Sequence, residues 1–196
     1  MAQKKEKFIT PVGEAFWAHV HVPKDPFKDA NGKTNGEPKY QIDVAFDPAD
    51  PAWKPWVDKL RADLQALPIQ KDRSGEPLKK QSPIKKQLDE NDQPTGRLVA
   101  TFKTGARFKP GVFDRYGQPI PETKLVGNGS KVKVSYTPNA YEGFGGGINF
   151  YLNAVQVMEL VEYKPSTAQA HGFECETAPA SDTNGNNVPA EDNIPW

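Results

Sequence analysis

Apolar residues recur at every second position in stretch after stretch of this chain, and a period of two permits few architectures other than a sheet. Tyr40, Ile42, Val44 and Phe46 keep the spacing, as do Leu98, Ala100 and Phe102, then Val132 and Val134, then Ile148, Phe150, Leu152 and Ala154. Strand side chains alternate between faces, so each stretch offers one face to a core and the other to solvent. Gly13 to Val22 reads the same way, with Phe16, Ala18, Val20 and Val22 on one face and Trp17, His19 and His21 on the other. Past Ala154 the apolar phase shifts to Val155, Val157 and Leu160, as at a β-bulge. Proline and glycine punctuate the gaps, and the polar stretch Lys24 to Lys39 between the first two strands is a loop. Those two strands are expected to pair as antiparallel neighbours.

One segment keeps a helical period instead. Trp53, Trp56, Val57, Leu60, Leu64 and Leu67 fall on one stripe, with Asp50 placed to cap, Pro51 suited to the first turn and Pro68 to the stop. The two tryptophans share the stripe with leucines and are assigned to the core. Ile69 to Gly96, carrying Lys71, Arg73, Lys79, Lys80, Lys85 and Lys86, reads as a long basic loop, and such loops are functional or disordered.

The formal net charge of zero conceals two opposite halves. All 25 Lys and Arg lie in residues 1–164 with 20 of the 25 acids, giving about +5 there and about −5 in residues 165–196. The expected organisation is therefore a basic folded domain over 1–164 and a disordered acidic tail over 165–196. Cys175 is the single cysteine, so an intramolecular disulfide is impossible, as suits a reducing compartment. No apolar run approaches the roughly 18 residues that a membrane span needs, and Met1 to Lys7 leads into Phe8-Ile9-Thr10-Pro11 rather than a signal core.

From Ala106 to Gly117 cations and aromatics interleave, in Arg107, Phe108, Lys109, Phe113, Arg115 and Tyr116. That mixture suits single-stranded nucleic acid, whose bases stack on rings while cations follow the phosphates; an ordinary β-hairpin with strand aromatics is the alternative. Gly127-Asn128-Gly129-Ser130 leads into a strand with Lys131 and Lys133 outward, so it is a turn and not a phosphate-binding loop, which would need GxxxxGK[ST] before a helix. Gly143 to Gly147 is a second glycine-rich turn. The histidines are His19, His21 and His171, and no third ligand stands beside His19 and His21 to complete a zinc site. Asp89, Glu90 and Asp92 read as solvated charge. Neither cofactor nor metal is expected, and the chain is not read as an enzyme, a metal-dependent nuclease being the less favoured alternative.

The order of strand, loop, strand Tyr40 to Val44 and capped helix, followed by Lys124 to Tyr136 and Asn153 to Leu160, resembles the single-stranded DNA-binding proteins of tailed bacteriophages. The resemblance implies a mainly β, five-stranded OB-fold barrel with one packed helix and long loops, acting in phage DNA replication, recombination and repair in the host cytoplasm. The tip Glu191, Asp192, Ile194, Pro195 and Trp196 is similar to the C-terminal peptide of bacterial single-stranded DNA-binding proteins, though Asn193 stands for an acid and Trp196 for phenylalanine. It implies docking to a polymerase, helicase or recombinase. A tail spanning roughly 30 Å also reaches the basic face and competes with DNA there. On this reading the stacking residues are Trp17, Tyr40, Phe102, Phe108, Phe113, Tyr116, Tyr141, Phe144 and Tyr151, with Tyr40 and Phe102 sharing their alternation with core positions. The phosphate contacts are Arg97, Lys103, Arg107, Lys109, Arg115, Lys131 and Lys133. RNA and duplex DNA stay open as alternative ligands, and a homodimer paired through Gly13 to Val22 as an edge strand stays open as an assembly.

Overall fold

A computed structural model of the chain describes residues 6–164 apart from 27, 29, 31, 33 and 35. Among them the elements run β1 (Phe8–Ile9), β2 (Gly13–Lys24), β3 (Lys39–Phe46), α1 (Lys54–Ala66), β4 (Ile84–Leu88), β5 (Pro94–Gly105), β6 (Gly111–Asp114), β7 (Lys131–Tyr141) and β8 (Gly147–Glu159). The pairings return on themselves. β2 pairs β3, β3 pairs β5, β5 pairs β8, β8 pairs β7 and β7 pairs β2, with β5–β8 the one parallel contact in this ring. β1, β4 and β6 are added to its outside edges, on β7, β5 and β8. Two seams of the ring are short: Gly13 and Glu14 against Val132 and Lys131, and Phe102 and Lys103 against Phe150 and Tyr151. β2, expected as an edge strand, is thus flanked by β7 and β3 at its start.

The inward positions of the ring meet as a continuous core that includes Ile42, Val44, Ala100, Phe102, Val132, Val134, Phe150 and Val155. The β-bulge expected in the last strand is present: Tyr136 pairs Leu152 and Ser135 pairs Ala154, leaving Asn153 as the extra residue that shifts the buried phase from Leu152 to Val155. In β2 the expected alternation fails. Ala15 and Val20 are both buried, while Val22 is exposed and His21 is buried. A register shift between Phe16 and His19, with Trp17 at φ 50°, swaps the inward parity halfway along the strand.

Helix α1 lies over the ring on its tryptophans. The Trp53 ring stacks on Phe46 at 4.0 Å and its indole N–H donates to Val12 O at 2.9 Å. Trp56 meets Phe150 at 5.5 Å and donates its N–H to the Tyr136 hydroxyl at 2.7 Å. Both are core residues, as their stripe implied. The helix starts later than the sequence suggests, because Asp50 and Pro51 form a turn ahead of it: Asp50 Oδ1 accepts the Ala52 N–H at 2.8 Å, and Pro55 occupies the first helical turn. Leu67, preceding Pro68, is extended and ends it.

Ile69 to Gly96 is not one long loop. It holds β4 and two tight turns that obey one rule, repeated a third time after β6. Asp72 accepts from the N–H groups of Ser74 and Glu76, Asp89 from Asn91 and Gln93, and Asp114 from Tyr116 and Gln118, all at 2.8 to 3.0 Å. In each the fourth residue (Gly75, Asp92 or Gly117) has positive φ, and the fifth returns its carbonyl to the Asp N–H. The carboxylate of each Asp replaces the strand ladder where the chain reverses. Lys80, counted as basic loop charge, instead closes the helix: its ammonium donates to Leu64 O, Gln65 O and Leu67 O at 2.9, 3.1 and 2.5 Å. These carbonyls lack partners within the helix and lie at its negative end. Lys80→Met is expected to lower unfolding free energy by about 1–2 kcal/mol, read as a lower urea midpoint at unchanged slope.

Candidate nucleic-acid interface

Residues paired across neighbouring strands point to the same side of the sheet, and this register assembles a row that no single stretch of sequence displays. His19 lies opposite Gln41, Gln41 opposite Lys103, and Lys103 opposite Tyr151, all outward. β5 and β8 pair over two residues only, and beside this seam lie two clefts that both include Thr104, Gly105 and Tyr151. One, of about 430 Å³, is lined by Lys39, Lys85 and Lys103 with Asn149. The other, of about 600 Å³, is lined by Lys7, Phe108, Lys109 and Asn153.

The other lysines of the first cleft act against Lys103. Burial pushes the Lys103 ammonium below its ordinary range; Asp43 pulls the other way, and Lys85, Lys39 and Lys24 push it down further. Three like charges acting on the Lys103 ammonium form a field that an anion relieves. Lys39 and Lys85 were missed by the sequence reading. Lys85 lies on β4, hidden in what looked like loop, and the signals that reveal the strand are Ile84 and Leu88 beside the Asp89 turn.

The expected contact residues divide into groups. Lys103, Lys109, Phe108 and Tyr151 line the clefts, with exposed Arg107 beside Phe108. Phe113, Arg115, Tyr116 and Lys133 gather around β6: Lys133 opposes Gln156, which opposes Phe113, and Arg115 lies 5.8 Å from the Tyr116 ring. Phe144 is 93 % exposed on its glycine turn, half-buried Tyr141 ends β7, and Trp17 is exposed on β2; none of these lines either cleft. Tyr40 and Phe102 are corrected to core. Phe102 is fully buried, stacked at 5.2 Å on Phe150, and Tyr40 is buried on the same side of the ring, so neither has a face to offer a base. The tip residues Glu191 to Trp196 lie outside the described residues.

Three expected phosphate contacts are held by carboxylates. Glu14 Oε2 accepts from Arg97 at 3.1 Å and from Lys131 at 3.3 Å, and Lys109 is likewise paired with Glu122. Arg97 and Lys131 therefore brace β2 against β5 and β7. Among the described residues no group of three or more His, Cys, Asp or Glu side chains is placed to hold a metal ion.

The five-stranded ring with one parallel contact between its third and last members is an OB-fold, a class that binds oligonucleotides and oligosaccharides across its sheet face. Its likenesses are to phage single-stranded DNA-binding proteins. The chain is 25% identical over 186 residues to the single-stranded DNA-binding protein of Enterobacteria phage T3, covering 82% of this chain and 78% of that one. In fold it is similar to gp2.5, a single-stranded DNA-binding protein encoded by bacteriophage T7, with a TM-score of 0.59 at 20% identity over 91% of this chain and 100% of that one. It is also similar to the bacteriophage Enc34 single-stranded DNA-binding protein solved in complex with single-stranded DNA, with a TM-score of 0.55 at 19% identity over 78% and 86%. No family model matches the chain.

Burial raises the Glu14 carboxyl, but hydrogen bonds and charge from Lys131 and Arg97 outweigh it and leave the group below its ordinary 4.5. A lowered carboxyl stabilises the fold fully above that value and loses its contribution as pH falls through the folded-state pKa. Glu14→Gln should therefore flatten the acid limb of a melting-temperature profile below about pH 4.5, with a lower plateau at neutral pH.

Proposed function

We propose that this protein binds single-stranded DNA with little sequence preference in the DNA metabolism of a phage, within the host cytoplasm. The outward row centred on Lys103 and Tyr151 carries this reading. Neighbouring lysines act against the Lys103 charge, which a phosphate would relieve, and the Tyr151 ring lies beside it where a base would follow that phosphate. Single strands expose both base faces to rings such as Tyr151 and Phe108, whereas a duplex hides them. The names of the T3, T7 and Enc34 relatives support the same reading.

The strand follows the clefts from Lys85 and Lys39, across Tyr151, to Phe108 and Lys109. To bind there, phosphate displaces Glu122 from Lys109 but leaves Glu14 holding Arg97 and Lys131. Residues 165–196 act as a docking peptide, with Ile194, Pro195 and Trp196 filling an apolar pocket on a replication or recombination protein while Glu191 and Asp192 meet its cations.

Fluorescence anisotropy with labelled oligothymidylate, titrated across salt and in competition with RNA and duplex DNA of equal length, tests this function. Lys85→Met and Lys103→Met should each reduce the salt slope by roughly 0.7, with Lys131→Met having a smaller effect. Equal or tighter binding of duplex or RNA, or a slope indifferent to Lys85 and Lys103, would sink the assignment. Truncation after Pro165 should tighten DNA binding by removing the competing acids, and an unchanged affinity would eliminate the competition.

A further inference from the structure

The turn from Gly127 to Ser130 does more than reverse the chain. On one side it grips β2: Asn128 Oδ1 accepts the Trp17 backbone N–H at 2.9 Å, Gly129 N–H donates to Ala15 O at 2.9 Å, and Ala15 N–H donates to Ser130 O at 2.8 Å. On the other it grips residues 161–163. Gly127 N–H donates to Val161 O at 2.8 Å, Val161 N–H to Ser130 Oγ at 3.0 Å, and Tyr163 N–H to Leu125 O at 2.9 Å. A Cβ on Gly127 would stand 2.8 Å from Val161 O and 3.0 Å from Tyr163 N, so a side chain there would force the segments apart. The turn is a clamp that positions Trp17 and Tyr163.

Both residues line one pocket of about 300 Å³, together with His19, His21, Val22 and Asn128. Trp17 reaches it by a backbone that bulky residues rarely adopt, at φ 50°, in the register shift of β2. The consequence is an indole 65% exposed at the pocket in a strand whose alternation would otherwise continue. His21 lines the pocket at 6% exposed, with its Nε2 closed off from solvent and without a hydrogen-bond partner among the described residues. Burial and Lys109 hold this imidazole below its ordinary pKa, Glu122 opposing in part. Among the described residues no lysine, arginine or carboxylate lines it, which favours a neutral ring over a phosphate as the pocket's occupant. His19 joins this pocket to the outward row, with Tyr151 three strand spacings, about 14 Å, away.

We infer that this pocket takes one unstacked nucleobase of the bound strand, its face against Trp17. The inference rests on the single-stranded DNA reading and adds a second base site to it, away from the lysine cleft. Tyr163 closes the far side, and the Gly127 clamp keeps the two rings at a fixed separation.

Ultraviolet crosslinking of the full-length protein to oligothymidylate carrying one 5-iododeoxyuridine, with the linked peptides mapped by mass spectrometry, tests the pocket. Crosslinks should fall on Trp17 or Tyr163 as well as on Tyr151 or Phe108. Trp17→Ala should weaken oligothymidylate binding roughly 5- to 150-fold, the range for losing one stacked base, while Trp17→Phe keeps most of the affinity. Tight binding with crosslinks confined to Tyr151 and Phe108, and an unaffected Trp17→Ala variant, overturns the pocket and leaves the cleft standing. Failure to bind any single strand at low salt overturns both.

Discussion

The contact on which the molecule depends is the two-residue parallel seam between β5 and β8. On its inner side Phe102 stacks on Phe150 in the core, and on its outer side Lys103 stands beside Tyr151. Because side chains alternate along both strands, a single register decides both faces at once. A slip of one residue would turn Lys103 inward and Phe102 out, so the energy that sorts apolar from charged side chains also sets the outward row proposed to bind DNA. The site needs no positioning apparatus of its own, because packing of the core supplies it.

Charge in this fold has two roles that composition does not separate. Arg97 and Lys131 converge on Glu14 and tie three strands together, and Lys80 closes the end of a helix. Lys24, Lys39 and Lys85 instead act together against the charge of Lys103, with Asp43 opposing them. The first set is satisfied within the protein, and the second is left in tension at the surface. That difference, and not the count of basic residues, separates scaffold from site.

Much of the fold was legible in the sequence because period two and period 3.6 survive folding. Tyr40 to Phe46, the alternation from Leu98 to Phe102, Val132 with Val134, the bulge after Leu152 and the tryptophan stripe of α1 stand where their spacing put them. β2 was misread because a left-handed residue in mid-strand has no periodic signature: Trp17 inverts the faces beyond it. β4 was missed because Lys85 and Lys86 between Ile84 and Leu88 look like solvated loop, although the recurring five-residue Asp turns mark the hairpins that contain them. The residue types of the proposed site could be read from the sequence, but their grouping could not. Lys131 and Arg97 look as available as Lys103 until Glu14, far away in sequence, is seen to hold both. Phe102 fits an aromatic list as well as Tyr151 does, and only their faces separate them.

The same Asp turns also bear on how the chain reaches this structure. Each closes a hairpin within a handful of residues, where loop-closure entropy is small, and so gives local pairs a start that needs nothing from the rest of the chain. The β2–β7 seam is the opposite case, joining Gly13 to Val132 across most of the sequence. Pairing of that kind is slow, which makes the ring a late event in folding and leaves the hairpins as its early, independently formed pieces.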